Sequence, residues 1–181
     1  MKTKKSITLQ ILFTLLLFNF LVSSCSKDEP EDEPITTVET WRYSHTVSED
    51  EHDYNGDGIA NSNLVNEIDS NCIFNNVSEL KSDGTGTAQI SGHGNLIVYN
   101  AGTSEYEITC IAIDNQTDEI TWTKTDSTRT ITKNGDTVTY NVIEDAGITY
   151  MIVNYNNFPL VTDEFGDPFE YDNITAYYQL D

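Results

Sequence analysis

The dipeptide Asn134-Gly135 is the feature that most restricts how this chain can fold. It joins two segments, within residues 127–144, in which Thr, Val, Ile and Tyr recur at alternate positions. A type I′ turn needs a positive φ at both central positions, so Asn-Gly between β-forming segments predicts a tight antiparallel hairpin. The turn sets the register: Lys133 faces Asp136, Ile131 faces Val138 and Arg129 faces Tyr140. One face then carries the set Ile131, Val138, Tyr140 and Val142 and is predicted to be buried.

The same alternating pattern continues through residues 39–181, with Gly, Asn and Asp between the segments. It predicts further strands at 40–48, 71–81, 85–91, 95–100, 105–113, 119–124, 147–155 and 173–180. In the first of these strands, Trp41, Tyr43, His45 and Val47 are expected on one face. Residues 156–171 are expected to form an irregular connection.

Helix is indicated only at 61–69, where Leu64, Val65 and Ile68 share one face. Asn61 or Ser62 would be its N-cap. Many short strands separated by turn residues predict an all-β domain. The expected architecture is an antiparallel up-and-down barrel of about eight strands with one short helix, and the alternative is a β-sandwich.

The first 24 residues have the composition of a secretory signal peptide. Lys2, Lys4 and Lys5 precede an apolar run over 7–22. That run is shorter than the roughly 20 apolar residues of a membrane-spanning helix. Residues 22–25, Val-Ser-Ser-Cys, resemble the lipobox of bacterial lipoproteins, which implies cleavage before Cys25 and lipid attachment there. The alternative is an ordinary signal peptide followed by a coincidental cysteine.

Residues 25–38 are rich in acidic residues and proline. This composition opposes a packed core, so we expect a solvated tether. It is similar to the acidic export signal that places lipoproteins of Bacteroidota on the outer cell surface, and a plain spacer is the alternative. The expected organisation is a signal peptide over 1–24, a lipidated tether over 25–38 and a barrel domain over 39–181. The expected location is the outer membrane, with the domain exposed at the cell surface.

Net charge restricts the partners of the mature domain. The full chain has a formal net charge of −21, and removal of residues 1–24 takes away three Lys and no acid, which leaves −24. Binding to nucleic acid depends on clustered Lys and Arg that contact phosphates, so we expect no nucleic-acid partner. We expect the lipid anchor to be the only attachment to the membrane and the protein to be a monomer.

Two cysteines remain when Cys25 is assigned to the lipid. In an oxidising compartment the simplest expectation is a disulfide between Cys72 and Cys110. The alternative is a pair of buried thiols that behave as small hydrophobic residues.

Several short motifs together resemble the lipocalin-like domain lipoproteins of Bacteroidota. They are Thr40-Trp41 in the first strand, the Asp- and Gly-rich stretch 53–58, the segments 63–67 and 80–86, Cys72, and the closing Asn-Ile-Thr-Ala-Tyr-Tyr of 173–178. The resemblance implies an up-and-down barrel with an open mouth and no settled activity. Glu39 stands where lipocalins proper have the glycine of a Gly-x-Trp motif.

Residues 53–58 match the first half of an EF-hand-type calcium loop. Asp53, Asn55 and Asp57 provide oxygens at positions 1, 3 and 5, and a glycine stands at position 6. The Ile59 carbonyl would be the ligand at position 7. Position 12 lacks an acid, so Glu67, or one of Glu49, Glu51 and Asp69, would complete the shell. The alternative is a solvated turn rich in Asx and glycine.

Aromatic residues indicate a second candidate site inside the barrel. The predicted ligand-binding residues are Trp41, Tyr43, Trp122, Arg129, Tyr140 and Tyr150, with Tyr155 in the same aromatic set. Aromatic side chains with a polar end suit small amphipathic or sugar-like ligands. The alternative is a packed core, since small barrels fill with side chains. Arg129 would fix a carboxylate in the first case and would cover the apolar rim in the second.

Two functions are therefore expected. The first is a cell-surface lipoprotein that binds a small amphipathic ligand in its barrel. The second is a non-catalytic structural or adhesive module with a calcium-stabilised loop. An enzyme is not expected, because the chain has no Gly-x-Ser-x-Gly elbow, no His-Glu-x-x-His motif and no plausible Cys-His pair. Calcium is the only cofactor that the sequence suggests.

Overall fold

The computed structural model describes residues 36–68, 72 and 74–181. These residues form nine strands and one 3₁₀ helix. The strands are β1 (Val38–His52), β2 (Asn61–Asn63), β3 (Phe74–Lys81), β4 (Thr85–Asn100), β5 (Glu105–Lys124), β6 (Thr128–Lys133), β7 (Asp136–Asp145), β8 (Ile148–Asp163) and β9 (Pro168–Leu180), and the 3₁₀ turn is Leu64–Glu67.

Eight of the strands close into an antiparallel barrel, which confirms the predicted fold class. Each strand from β3 to β9 pairs with the next, β1 pairs with β3, and β9 pairs back to β1. The short β2 lies outside the barrel on the edge of β1. In the part of the chain that the structure describes, we find no helix that could span a membrane. The predicted signal peptide, Cys25 and nearly all of the predicted tether lie outside the described residues.

The β6–β7 hairpin has the predicted register. Lys133 pairs with Asp136, Ile131 with Val138 and Arg129 with Tyr140. Asn134 and Gly135 have φ values of 54° and 94°, as the type I′ turn requires. The predicted apolar face packs into the main core, whose buried residues are Trp41, Leu80, Ile120, Trp122, Ile131, Met151, Val153, Ala176 and Tyr178.

Several strands are longer than predicted, because β-bulges allow pairing to continue past irregular sequence. The predicted strands 105–113 and 119–124 are one strand, β5. The predicted strands 85–91 and 95–100 are one strand, β4, whose pairing with β5 shifts between Ile90 and Gly92. Gly92 has a φ of 96°, which glycine adopts without strain. The expected connection over 156–171 is mostly strand, because β8 and β9 keep pairing through three register shifts.

A bulge in β1 also corrects the predicted placement of His45. Trp41 and Tyr43 face the barrel interior as predicted, but the pairing with β9 shifts between Tyr43 and His45. His45 therefore stacks on Tyr177, with ring centroids 4.4 Å apart. Tyr177 lies between the inward-facing Ala176 and Tyr178, so both stacked rings are on the outside.

The predicted helix at 61–69 is a strand followed by a single 3₁₀ turn. Asn61 and Asn63 pair with β1, which takes the first residues of the expected helix into the sheet. The N-cap is Asn63 rather than Asn61 or Ser62, and its side chain accepts from the Val65 amide at 3.2 Å. Val65 is 42% exposed, so the apolar face is narrower than predicted.

The two ends of the barrel are built differently. The lower end holds the start of β1 and the turns at 82–84, 125–127 and 146–147, and the main core lies towards it. The upper end holds the segment between β1 and β3 and the turns at 101–104, 134–135 and 164–167. There Ile97–Tyr99 of β4 pair in parallel with Val161–Asp163 of β8. β4 and β8 lie on opposite walls of the barrel, so their pairing crosses its upper end.

A second core fills the region around that bridge. Its buried residues are Tyr54, Leu64, Ile97 and Val161, and Tyr99, Tyr106, Ile108 and Leu160 pack against them. The Tyr54 and Tyr106 hydroxyls both donate to the Glu170 carboxylate. His52 binds Asp172 at 3.0 Å and stacks on the Tyr54 ring. These contacts fasten the end of β1 to β9.

Cys72 and Cys110 form a disulfide, which confirms the predicted pair. Their Cα atoms are 5.3 Å apart. Cys72 lies ahead of β3 and Cys110 lies on β5, so the bond joins β5 to the segment before β3.

Candidate functional site

Two tryptophans close the lower end of the barrel. Trp41 is 0% exposed and Trp122 is 6% exposed. The Trp122 indole Nε1 donates to the carbonyls of Lys81 and Thr85, at 2.7 and 3.1 Å. The Trp41 Nε1 donates to Glu39 at 3.2 Å. Both indoles are thus buried, and their polar atoms are hydrogen-bonded. At these two positions the structure agrees with the packed-core alternative and not with a ligand-binding role.

Arg129 covers the two indoles from below. Its guanidinium carbon lies 5.9 Å from the Trp41 ring and 6.0 Å from the Trp122 ring. Its Nε and Nη2 donate to the two Glu39 carboxylate oxygens at 2.8 and 3.2 Å, and Nη1 donates to the carbonyls of Thr125 and Thr128. The guanidinium is therefore already bound by protein oxygens at the closed end, as expected for the rim alternative.

Glu39 balances the charge of this closed end. Burial alone would raise the pKa of Glu39, but the hydrogen bonds and the charge of Arg129 hold that pKa below its ordinary value. Lys124 adds a second contact at 3.3 Å. Glu39 thus has a structural role here, because it neutralises Arg129.

Above the tryptophans the lumen is open. One cavity of about 570 Å³ lies between β1, β3, β4, β8, β9 and the 3₁₀ turn. Its apolar lining includes Tyr43, Leu64, Phe74, Tyr155, Leu160 and Tyr178. A second cavity of about 390 Å³ lies next to β6 and β7. Asn76, Tyr155 and Tyr178 border both cavities, so the two are neighbouring parts of one lumen.

Four tyrosines meet where the two cavities join. The Tyr178 ring contacts the Tyr43 and Tyr140 rings edge to face, with centroids 5.9 and 5.7 Å apart. Tyr155 borders the same space from β8. We call Tyr43, Tyr140, Tyr155 and Tyr178 the tyrosine cluster. Burial raises the pKa of each member, and that of Tyr140 reaches about 12.

The structure brings only part of the predicted ligand set to this lumen. Tyr43 and Tyr140 line it, whereas Tyr150 is on the outside of the barrel, near His45 and Tyr177. Met151 and Val153 on β8 face the core, so the neighbouring Tyr150 faces outwards. Tyr178 was missed. The alternation of Ala176, Tyr178 and Leu180 in β9 carries the signal that would have found it.

In the Asp53 loop (residues 53–59), side-chain oxygens accept hydrogen bonds from the loop's own backbone amides, as in Asx turns. Asp53 Oδ2 accepts from the Gly58 amide at 2.9 Å, Asn55 Oδ1 from Asp57 at 2.9 Å, and Asp57 Oδ1 from Ile59 at 2.8 Å. These bonds turn the three side chains towards their own loop and leave the second oxygen of each acid free of backbone contacts. Asp53 Oδ1 is buried and has no hydrogen-bond partner among the described residues.

Glu67 reaches the loop from the 3₁₀ turn. It is 0% exposed, and its Oε2 accepts from the Tyr54 amide at 3.0 Å. Its Oε1 contacts the Asn61 amide nitrogen, which also donates to the Ile59 carbonyl at 3.0 Å. Glu67 therefore lies beside the loop, as the calcium hypothesis requires, and Asn61 links it to the Ile59 carbonyl. Glu49 instead contacts Asn173, and Asp69 lies outside the described residues.

Within the described part of the chain, no group of three or more His, Cys, Asp and Glu side chains has a metal-binding arrangement. Asp53, Asp57 and Glu67, the three carboxylates of the predicted calcium site, therefore do not come together as such a group. The chain matches no model of a known protein family, no curated protein and no solved structure.

Proposed function

We propose that this protein is a non-catalytic, lipid-anchored cell-surface protein that binds a small amphipathic molecule in its barrel. The cavity of about 570 Å³ carries the proposal. It falls within the roughly 300–1,000 Å³ range of ligand pockets and is lined mainly by apolar and aromatic side chains. The location rests on the sequence of residues 1–38 alone, and mass spectrometry of the protein from its own membranes would test for acyl groups on Cys25.

The ionisation of the tyrosine cluster suits hydrogen bonding to a ligand and opposes a role of these tyrosines as base or nucleophile. A tyrosine that acts as a base or nucleophile needs a pKa lowered towards neutral pH. Burial instead raises the pKa of Tyr140 to about 12 and moves that of Tyr178 in the same direction. The hydroxyls therefore stay protonated at neutral pH and serve as hydrogen-bond donors.

We expect the neutral fluorescent probe N-phenyl-1-naphthylamine to bind in the lumen, with a gain in emission. Asn76→Phe should reduce its affinity at least about tenfold, because Asn76 borders both cavities and the larger ring occupies their junction. Asn75→Phe is the matched control. Asn75 is the same residue type on the same strand, but it is exposed on the outer face.

Equal loss of probe affinity in both variants, or no binding by the unmodified protein, would contradict a lumen site. Native mass spectrometry of the protein from its own cells would then show whether any other molecule accompanies it.

The second candidate is a structural or adhesive module in which calcium holds the Asp53 loop. The observation that favours it is the buried Asp53 Oδ1, which lacks a partner among the described residues, beside the fully buried Glu67. Asp53, Asn55, Asp57, the Ile59 carbonyl and Glu67 would supply oxygen ligands, which suit calcium. If the side-chain amide of Asn61 were flipped, its oxygen would take the place of its NH₂ group and could serve as a further ligand.

Calcium at about 5 mM should then raise the melting temperature by about 3–8 °C, as expected for a site of about 10⁻⁴–10⁻³ M. Magnesium should have a much smaller effect, because it tolerates irregular shells poorly. Asp53→Asn and Asp57→Asn keep an oxygen for the turn but remove charge, and they should abolish the rise. Asp126→Asn, on the exposed turn at the lower end, is the control. A calcium-independent melting temperature would reduce the loop to a solvated turn.

A further inference from the structure

We propose that the lumen selects uncharged ligands that carry a hydrogen-bond-accepting oxygen, and that the hydroxyls of Tyr140, Tyr155 and Tyr178 hold that oxygen. This inference rests on the proposed function and names the chemical class of its ligand. The acceptor would be the carbonyl, ether or hydroxyl oxygen of an otherwise apolar molecule.

The position of these hydroxyls is the first argument. Tyr155 and Tyr178 border both cavities, and Tyr140 borders the smaller one and contacts the Tyr178 ring. A ligand that extends from the larger cavity into the smaller one therefore passes this group. Its apolar part would lie against Phe74, Leu160 and Ile174, which line the larger cavity.

The availability of the hydroxyls is the second argument. Tyr43 is already engaged, since its hydroxyl lies 2.9 Å from Thr46 Oγ1. In the described residues, by contrast, the hydroxyls of Tyr140, Tyr155 and Tyr178 have no side-chain or backbone partner. The hydroxyls of Tyr140 and Tyr178 are not among the buried polar atoms that lack a partner, so they reach the open space of the cavities and can donate to a ligand oxygen there. Burial and the mutual proximity of Tyr140, Tyr155 and Tyr178 raise the pKa values of the cluster, which keeps the donors protonated.

The absence of a free cation is the third argument. Among the described residues that line the two cavities, only Lys133 and Asp136 are charged, and both flank the turn at 134–135. Lys133 is held by Asp118 at 2.6 Å, and Arg129 is held by Glu39 at the lower end. An ionised carboxylate in the lumen would thus be buried without an opposite charge, which is strongly unfavourable. The formal charge of −21 adds repulsion.

The test compares two ligands that differ in charge and not in chain length. Methyl dodecanoate and dodecanoate compete with N-phenyl-1-naphthylamine for binding to the unmodified protein at pH 7.5. The ester is neutral and keeps a carbonyl acceptor, whereas the acid is ionised at that pH. We expect the ester to displace the probe at a concentration at least about tenfold lower.

Hydroxyl deletions identify the residues that hold the oxygen. Tyr140→Phe, Tyr155→Phe and Tyr178→Phe should each weaken the ester about 3- to 10-fold, the usual effect of one hydrogen bond. The affinity for the probe, which has no oxygen, should change less than twofold. Tyr150→Phe removes a hydroxyl from the outside of the barrel and should change neither affinity.

Each outcome decides one point. Equal or tighter binding of dodecanoate would overturn the selection for uncharged ligands. Unchanged ester binding in all three lumen variants would overturn the role of the hydroxyls. Failure of the probe to bind the unmodified protein would refute the proposed function itself. Tyr155 is 38% exposed and Tyr178 is 8% exposed. Tyr155→Phe should therefore disturb folding less, and it still tests the hydroxyls if Tyr178→Phe fails to fold.

Discussion

Trp41→Ala should reduce the free energy of unfolding by about 4 kcal/mol, the usual cost of deleting a large buried aromatic side chain. Trp41 is 0% exposed and packs in the main core with Leu80, Ile120 and Tyr178. Its removal leaves a cavity at the closed end and takes away one of the two indoles that Arg129 covers. Denaturant unfolding at pH 7, where Glu39 is ionised, would measure the loss.

Phe165→Ala is the control for this change. It also truncates an aromatic residue, but Phe165 is 83% exposed in the turn after β8, so its effect should stay within about 0.5 kcal/mol. Trp41→Phe keeps a ring in the core, so its loss in the free energy of unfolding should lie between those of Trp41→Ala and Phe165→Ala. A loss below about 1.5 kcal/mol for Trp41→Ala would mean that the lower end collapses around the gap and is not the rigid floor of the lumen.

The hairpin around Asn134-Gly135 was predictable because its information is local. A two-residue turn that needs two positive φ values fixes every cross-strand pair that follows, and Ile131 faces Val138 as expected. The eight-stranded barrel follows from repetition of this pattern between turn residues, since the strands pair in chain order apart from β2.

The bulges were not predictable, because they depend on strands that are distant in sequence. Alternation alone placed His45 on the face of Trp41 and Tyr43. The shift in its pairing with β9 turned it outwards, where it stacks on Tyr177. The same effect hid the true length of β4, since a glycine-rich stretch reads as a break and here forms a bulge that keeps pairing.

The candidate site was only partly visible for a related reason. Alternation shows which side chains point inwards but does not show their height in the barrel. Trp41 and Tyr43 share a face, yet Trp41 is in the floor and Tyr43 lines the cavity. The sequence left open whether Arg129 would bind a carboxylate ligand or cover the rim, because its partner, Glu39, is 90 residues away in sequence. Glu67, in contrast, was found through the incomplete calcium motif and lies beside that loop.

Loss of the disulfide should have an effect as large as the loss of Trp41. The bond joins cysteines separated by 38 residues. Closing such a loop lowers the conformational entropy of the unfolded chain, which is equivalent to about 4 kcal/mol of free energy. Cys72→Ala together with Cys110→Ala should therefore lower the free energy of unfolding by about 3–4 kcal/mol. The measurement is denaturant unfolding of the oxidised protein and of the double variant.

Reducing agent separates the role of the bond from that of the two side chains. It should destabilise the unmodified protein almost as much as the double substitution does, and it should leave the double variant unchanged. Cys72 is 4% exposed, so any extra loss in the variant reports the missing sulfur atoms in the packing. Two reactive thiols in the unfolded, unreduced protein, or a difference below about 1 kcal/mol between oxidised and reduced forms, would show that the bond does not hold β5 to the segment before β3.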